Sequence, residues 1–166
     1  MNLPAYSETS FADALPLMQE TLRAGGVLCI TAHGISMRPL LLGGEDVELT
    51  APPDRLKKYD MAFYRRANGD FVLHRVIKVH RGGVYGFCGD NQVNPEYPVY
   101  HSQIIGVVTR FQSSGSWISV QNRAYMGYAK RKVNSRPLRK TFWMLYALLA
   151  RTIKSLLALV SPRQSR

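Results

Sequence analysis

The chain has 166 residues and a mass of 18.7 kDa, 46% hydrophobic and 20% charged, which fits one folded domain and excludes a disordered chain or two domains of ordinary size. Its two cysteines, Cys29 and Cys88, exclude a disulfide scaffold and a Cys-rich zinc site and suit a reducing compartment. The net charge is +11, but residues 1–120 balance 11 Lys/Arg against 11 Asp/Glu, while residues 121–166 carry 11 Lys/Arg and no acid, so the whole excess belongs to the tail.

Residues 1–26 read as neither a signal peptide nor a membrane anchor, because Glu8, Asp13 and Glu20 interrupt them. Residues 10–23 predict a short amphipathic helix. Phe11, Leu15, Met18 and Leu22 recur at spacings of four and three, Ser10 offers a cap, Pro16 a kink, and Gly25-Gly26 a stop. Strands are expected at 27–32, 47–50, 61–65, 71–79, 84–88, 104–111 and 117–120, each short, apolar and bounded by turn formers. No long helical pattern lies between them, so an antiparallel, partly closed β-fold is expected. Residues 121–140 read as a basic linker in which Pro137 interrupts any helix, and residues 141–160 as an amphipathic helix. The expected division is a helical segment at 1–25, a β-domain at 26–120, and a linker plus helix at 121–166.

Four pieces of the β-domain carry chemistry. The first is Gly34-Ile35-Ser36-Met37-Arg38-Pro39, a serine on a turn entered by Gly and left by Pro. The second is Lys57-Lys58-Tyr59-Asp60-Met61-Ala62-Phe63-Tyr64, a charged turn entering a strand. The third is Phe71-Val72-Leu73-His74-Arg75-Val76-Ile77, an apolar strand carrying one His, and the fourth is the turn Gly89-Asp90-Asn91. A serine hydroxyl is a weak nucleophile and needs a base, which in turn needs an orienting acid. Ser36 sits on a bend whose backbone N–H groups can converge on an oxyanion, with Gly34, Ile35 and Met37 beside it. His74 lies in an apolar strand, where burial keeps an imidazole neutral. Asp90 or Glu96 can supply the orienting carboxylate. His33 is read as a solvated turn residue, and Lys78 as sharing the strand face of His74. No His, Cys and carboxylate cluster has metal-ligand spacing, and no cofactor is expected.

In order and spacing these pieces resemble the boxes of type I signal peptidases, within the S24/S26 serine peptidase group. The Ser-Met-x-Pro box matches at 36–39, the Gly-Asp-x-Val-x-Phe box loosely at 59–63, the base-Arg-Val-Ile box at 74–77 and the Gly-Asp-Asn box at 89–91. The likeness covers roughly residues 30–111. It implies a signal-peptidase-like β-fold and a serine endopeptidase that cuts a leader or precursor peptide after small residues. A His at the base position resembles the Ser/His branch, which often carries its acid six residues after the Asp of Gly-Asp-Asn. That position is Glu96 here. The same likeness leaves two other expectations: a regulatory module like that of self-cleaving repressors, or a catalytically silent peptide-binding protein.

In the tail, Phe142 and Trp143 gather with Leu145, Tyr146 and Leu149 on one side of a helical wheel, and Arg151 and Lys154 lie on the other. Charges in mid-segment disfavour a spanning helix, because each costs about 3 kcal/mol at the bilayer centre. A helix lying in the headgroup plane satisfies both faces. The expected partners are therefore a peptide or preprotein substrate and an anionic membrane surface rather than nucleic acid. The expected location is cytoplasmic, peripheral on the inner face of the cell membrane.

Overall fold

A computed structural model of the chain describes the backbone of residues 8–160 and the side chains of residues 11–153. The chain divides into two compact units, Met1–Val133 and Asn134–Arg166. In the first unit, helix α1 (Glu8–Arg23) precedes eight strands: β1 (Leu28–Thr31), β2 (Asp46–Thr50), β3 (Met61–Arg65), β4 (Phe71–Val79), β5 (Val84–Cys88), β6 (Glu96–Tyr100), β7 (Ile104–Ser113) and β8 (Ser116–Ser119). Helix α2 (Arg123–Asn134) closes it, and the second unit is built on helix α3 (Arg136–Val160).

All strand pairs are antiparallel, in the order β1-β2-β7-β3-β4-β5-β6, with β8 added on β7. Strands β1 and β6 end this order, so the sheet is open and the expected partial closure is not found. Successive residues of a strand face opposite sides, and β3 is buried on both: Met61 and Phe63 enter one core, Ala62 and Tyr64 another. The first core packs Met18 and Leu22 of α1, Met37 and Leu41 of the serine turn, and Tyr125 and Ala129 of α2 against Val47, Leu49, Val108 and Phe111. The second gathers Leu56, Val76, Tyr85, Phe87, Val99 and Ile104.

Several elements depart from expectation, each for a physical reason. Helix α1 starts at Glu8, so Ser10 falls in its first turn instead of capping it; its C-terminus closes near the expected glycines, Gly26 N–H returning to Thr21 O at 2.9 Å. Strand β6 was not expected, because Pro98 lies inside it; at the sheet end a missing N–H costs no ladder bond. Residues 123–134 are not linker but helix. Asn122 caps α2 by accepting from the N–H groups of Ala124 (2.9 Å) and Tyr125 (3.2 Å), and Tyr125, Ala129 and Val133 bury one face at four-residue spacing. Pro137 does not interrupt a helix either, since it occupies the first turn of α3, where its absent N–H has no partner to lose. A register shift between Val76 and Lys78 turns Lys78 out to solvent, away from the face of His74.

Phe63 stacks on Phe71 (centroids 5.8 Å apart) and meets Phe11 of α1 (5.5 Å), so it ties the helix to the sheet. Phe63→Ala is expected to cost roughly 3–5 kcal/mol, read as a lower midpoint in urea unfolding with little change in slope.

Candidate active site

The Asn68-Gly69 turn between β3 and β4 sets their register, and Ala62 pairs with His74. His74 therefore points into the second core beside Tyr64 and is 1% exposed. Strand β5 pairs with β4 only from Arg75 onward, opposite Cys88. Among the described residues no strand covers residues 71–74 on the side away from β3, which leaves a short free sheet edge. The serine turn packs beside this gap. Ser36 and His74 both line a cavity of about 260 Å³, together with Ala32, His33, Arg66 and Gln92.

The turn is held in place from two directions. Met37, 4% exposed, and Leu41, 2% exposed, anchor it in the first core. Asn91 N–H donates to Ser36 O at 2.8 Å. Gly89 packs so closely that a Cβ there would sit 2.5 Å from the same oxygen, so no larger residue fits without moving the serine. Gly34 enters the turn at φ +84°, a region costly for other residues. No acceptor among the described residues takes the N–H of Ser36 or of Met37. Ile35 is 58% exposed and does not line the cavity, whereas His33, although solvated, does.

His74 Nδ1 lies 3.1 Å from Glu96 Oε1 and 3.3 Å from the Tyr64 hydroxyl; a proton on Nδ1 faces the carboxylate, and that tautomer leaves the lone pair on Nε2. Tyr64 O–H donates to Glu96 Oε2 at 2.9 Å, and the Arg66 guanidinium grips both oxygens of Glu96. Burial lowers the His74 pKa to about 4, overriding the pull of the Glu96 charge, much of which is held by Arg66. Burial alone would raise Glu96, but the bonds from Arg66 and Tyr64 outweigh it and hold the carboxyl below its usual range. The imidazole is thus neutral and the carboxylate ionised at neutral pH. Both oxygens of Asp90 accept from Arg75 (2.8 and 2.7 Å), and one also accepts from Tyr128 (3.0 Å). Of the two carboxylates left open by the sequence, Glu96 is the one at Nδ1, and Asp90 is tied to Arg75. No hydrogen bond joins Ser36 Oγ to His74; such bonds often tighten only around a substrate.

Sequence reasoning missed Tyr64 and Arg66. The Asn-Gly signal alone does not place them: a two-residue hairpin would pair residue 64 with 73, whereas the three-residue loop 67–69 puts Tyr64 on the face of His74. Among the described residues no three His, Cys, Asp or Glu side chains converge as a metal site requires.

The depressed pKa of His74 carries a sign for stability. Between the unfolded value near 6.5 and the folded value of about 4, only the unfolded chain binds the proton, so acid favours unfolding. This contribution is intact above pH 6.5 and is lost as pH falls toward 4, by about 3 kcal/mol at most. Glu96 acts in the same direction at still lower pH. Urea unfolding of the wild type is expected to weaken over that window, and His74→Gln is expected to flatten the slope.

Compared with known proteins, the chain matches no family model, no curated protein and no solved structure.

Proposed function

We propose that this protein is a serine endopeptidase, signal-peptidase-like, that cleaves an extended leader or precursor peptide. The observation that carries this reading is a neutral, buried imidazole whose Nδ1 is fixed by an ionised Glu96 and which shares a small cavity with a serine on a turn. Ser36 Oγ attacks the scissile carbonyl carbon and passes its proton to Nε2 of His74. The N–H groups of Ser36 and Met37 receive the oxyanion. The imidazolium then protonates the leaving amine. Water, deprotonated by His74, hydrolyses the acyl-enzyme, and Ser36 recovers its proton as the acid product leaves. Glu96 steadies the imidazolium, and Tyr64 and Arg66 hold Glu96 in line. The uncovered edge at residues 71–74 supports an extended substrate, because a peptide laid along it completes the ladder. The absence of a bond between Ser36 Oγ and His74 favours one other reading, a catalytically silent peptide-binding protein of the same build.

A fluorophosphonate probe separates the two. Wild type is expected to be labelled and Ser36→Ala not at all, with His74→Gln slower by roughly 10²–10⁴-fold. The labelling rate should fall on the acid side with a midpoint at about 4, the value for His74. A wild type that stays unlabelled across pH leaves the silent binder standing.

The second unit supports a peripheral site on the inner face of the cell membrane. Along α3, Leu138, Phe142, Trp143, Leu145, Tyr146 and Leu149 are exposed, as is Arg151; the Lys154 side chain lies outside the described residues. No helix among the described residues is long and apolar enough to cross a membrane. An apolar face with aromatic side chains, on a segment rich in cations and free of acids, matches an interfacial helix on anionic lipid. Each cation near the surface adds about 1 kcal/mol. The chain is expected to sediment with phosphatidylglycerol-containing vesicles and not with pure phosphatidylcholine, and Phe142→Asp is expected to release it. Equal sedimentation with both lipids rejects the electrostatic part of this reading.

A further inference from the structure

Helix α2 lies outside the segment that resembles a peptidase, yet its side chains end at the turn supporting Ser36. Arg75 is fully buried and Asp90 is 3% exposed. Two buried opposite charges persist only where every donor and acceptor around them is used. Much of that work falls to α2. Arg75 Nη1 donates to the Tyr125 hydroxyl at 2.7 Å and to Tyr59 O at 3.0 Å. Its guanidinium lies 5.4 Å from the Tyr125 ring centroid and 5.9 Å from that of Tyr128. Tyr128 O–H supplies Asp90 with a donor besides Arg75, at 3.0 Å. The neighbours of Asp90 are the two residues that hold the serine: Gly89, packed on Ser36 O, and Asn91, whose N–H donates to it at 2.8 Å. An unbroken path of contacts runs from Tyr128 through Asp90 and Asn91 to Ser36.

We propose that Tyr128, backed by Tyr125, is a positioning residue: it locks the Asp90 turn and thereby sets the backbone on which Ser36 presents its hydroxyl and oxyanion N–H groups. The effect on chemistry rests on the peptidase reading; the lock itself does not. The Tyr128 hydroxyl touches no reacting atom. Its loss leaves the Arg75–Asp90 pair in place, so the fold survives, but the turn gains freedom and the serine loses its fixed angle to the oxyanion donors. A displacement of about 1 Å in such a site costs on the order of 100-fold in rate.

Two measurements on the full chain test this with Tyr128→Phe, which keeps the ring and removes one hydroxyl. Tyr85→Phe is the control, because it removes a buried hydroxyl that bonds Leu56 N–H and His101 in the second core. The first measurement is fluorophosphonate inactivation, in which Ser36 Oγ bonds phosphorus, fluoride leaves and the proton passes to His74. Tyr128→Phe is expected to lower the limiting inactivation rate about tenfold, as for one hydrogen bond to a charged group, with half-saturation unchanged. Tyr85→Phe is expected to leave that rate unchanged at a similar loss of thermal stability. The second measurement is amide exchange at Asn91, which Tyr128→Phe is expected to speed by about tenfold and Tyr85→Phe not at all. Faster exchange at Asn91 in a protein that the probe never labels keeps the lock and overturns the peptidase reading. Asn91 exchange unchanged by Tyr128→Phe overturns the lock, whatever the labelling shows.

Discussion

The buried pair between Arg75 and Asp90 is the contact on which the first unit converges. Arg75 lies on β4, one residue after His74, and alternation along the strand sends it to the opposite face. There it reaches Asp90 with two short bonds and also engages the chain entering β3, through Tyr59 O, and α2, through Tyr125. Burial works against the guanidinium's charge, but Asp90 and the tyrosine hydroxyl outweigh it and hold Arg75 firmly protonated. Breaking such a pair by removing one partner costs about 3–5 kcal/mol, because the other charge is left in a dry interior. The pair thus joins β4, the β5–β6 turn and α2, and through Gly89 and Asn91 it fixes the serine turn.

Two adjacent residues of β4 therefore serve two carboxylates with different duties. His74 faces the second core and meets Glu96, whose side chain is a quarter exposed and is shared with Arg66 and Tyr64. Arg75 faces the first core and meets Asp90, which is sealed from water. The distinction follows from surroundings. Burial keeps His74 neutral, and the charge of a carboxylate already held by an arginine and a tyrosine does not reverse that while it still orients Nδ1. A carboxylate sealed with a full positive charge is a structural tie. The His74–Glu96 pair and the Arg75–Asp90 pair sit back to back across one strand, and the Asp90 charge still pulls the His74 pKa upward.

The second unit obeys different physics. Helix α3 carries apolar and aromatic side chains that remain exposed, and none of the 46 residues from 121 onward is acidic. Such a helix gains little from water and much from an interface that is apolar on one side and anionic on the other. Helix α2 shares the basic composition but buries Tyr125, Ala129 and Val133, and so belongs to the first unit. Composition alone does not separate the two helices; the faces they bury do.

Local chemistry determined much of this protein. The strands at 61–65, 71–79 and 84–88 are legible to the residue, because each is an apolar run closed by turn formers. The meeting of Ser36 and His74 is legible from the order and spacing of four short boxes, and the amphipathic helix of α3 from its charge and periodicity. Tertiary structure decided what local pattern leaves open. Strand β6 exists because its neighbour β5 supplies the ladder and an edge tolerates Pro98. The linker became α2 because the first core had room for Tyr125 and Ala129, a fact no window of basic residues contains. Glu96 and Asp90 are equivalent as letters. Their different partners follow from the strand alternation that sends His74 and Arg75 to opposite faces, and from the pairing that brings β6 to one and α2 to the other.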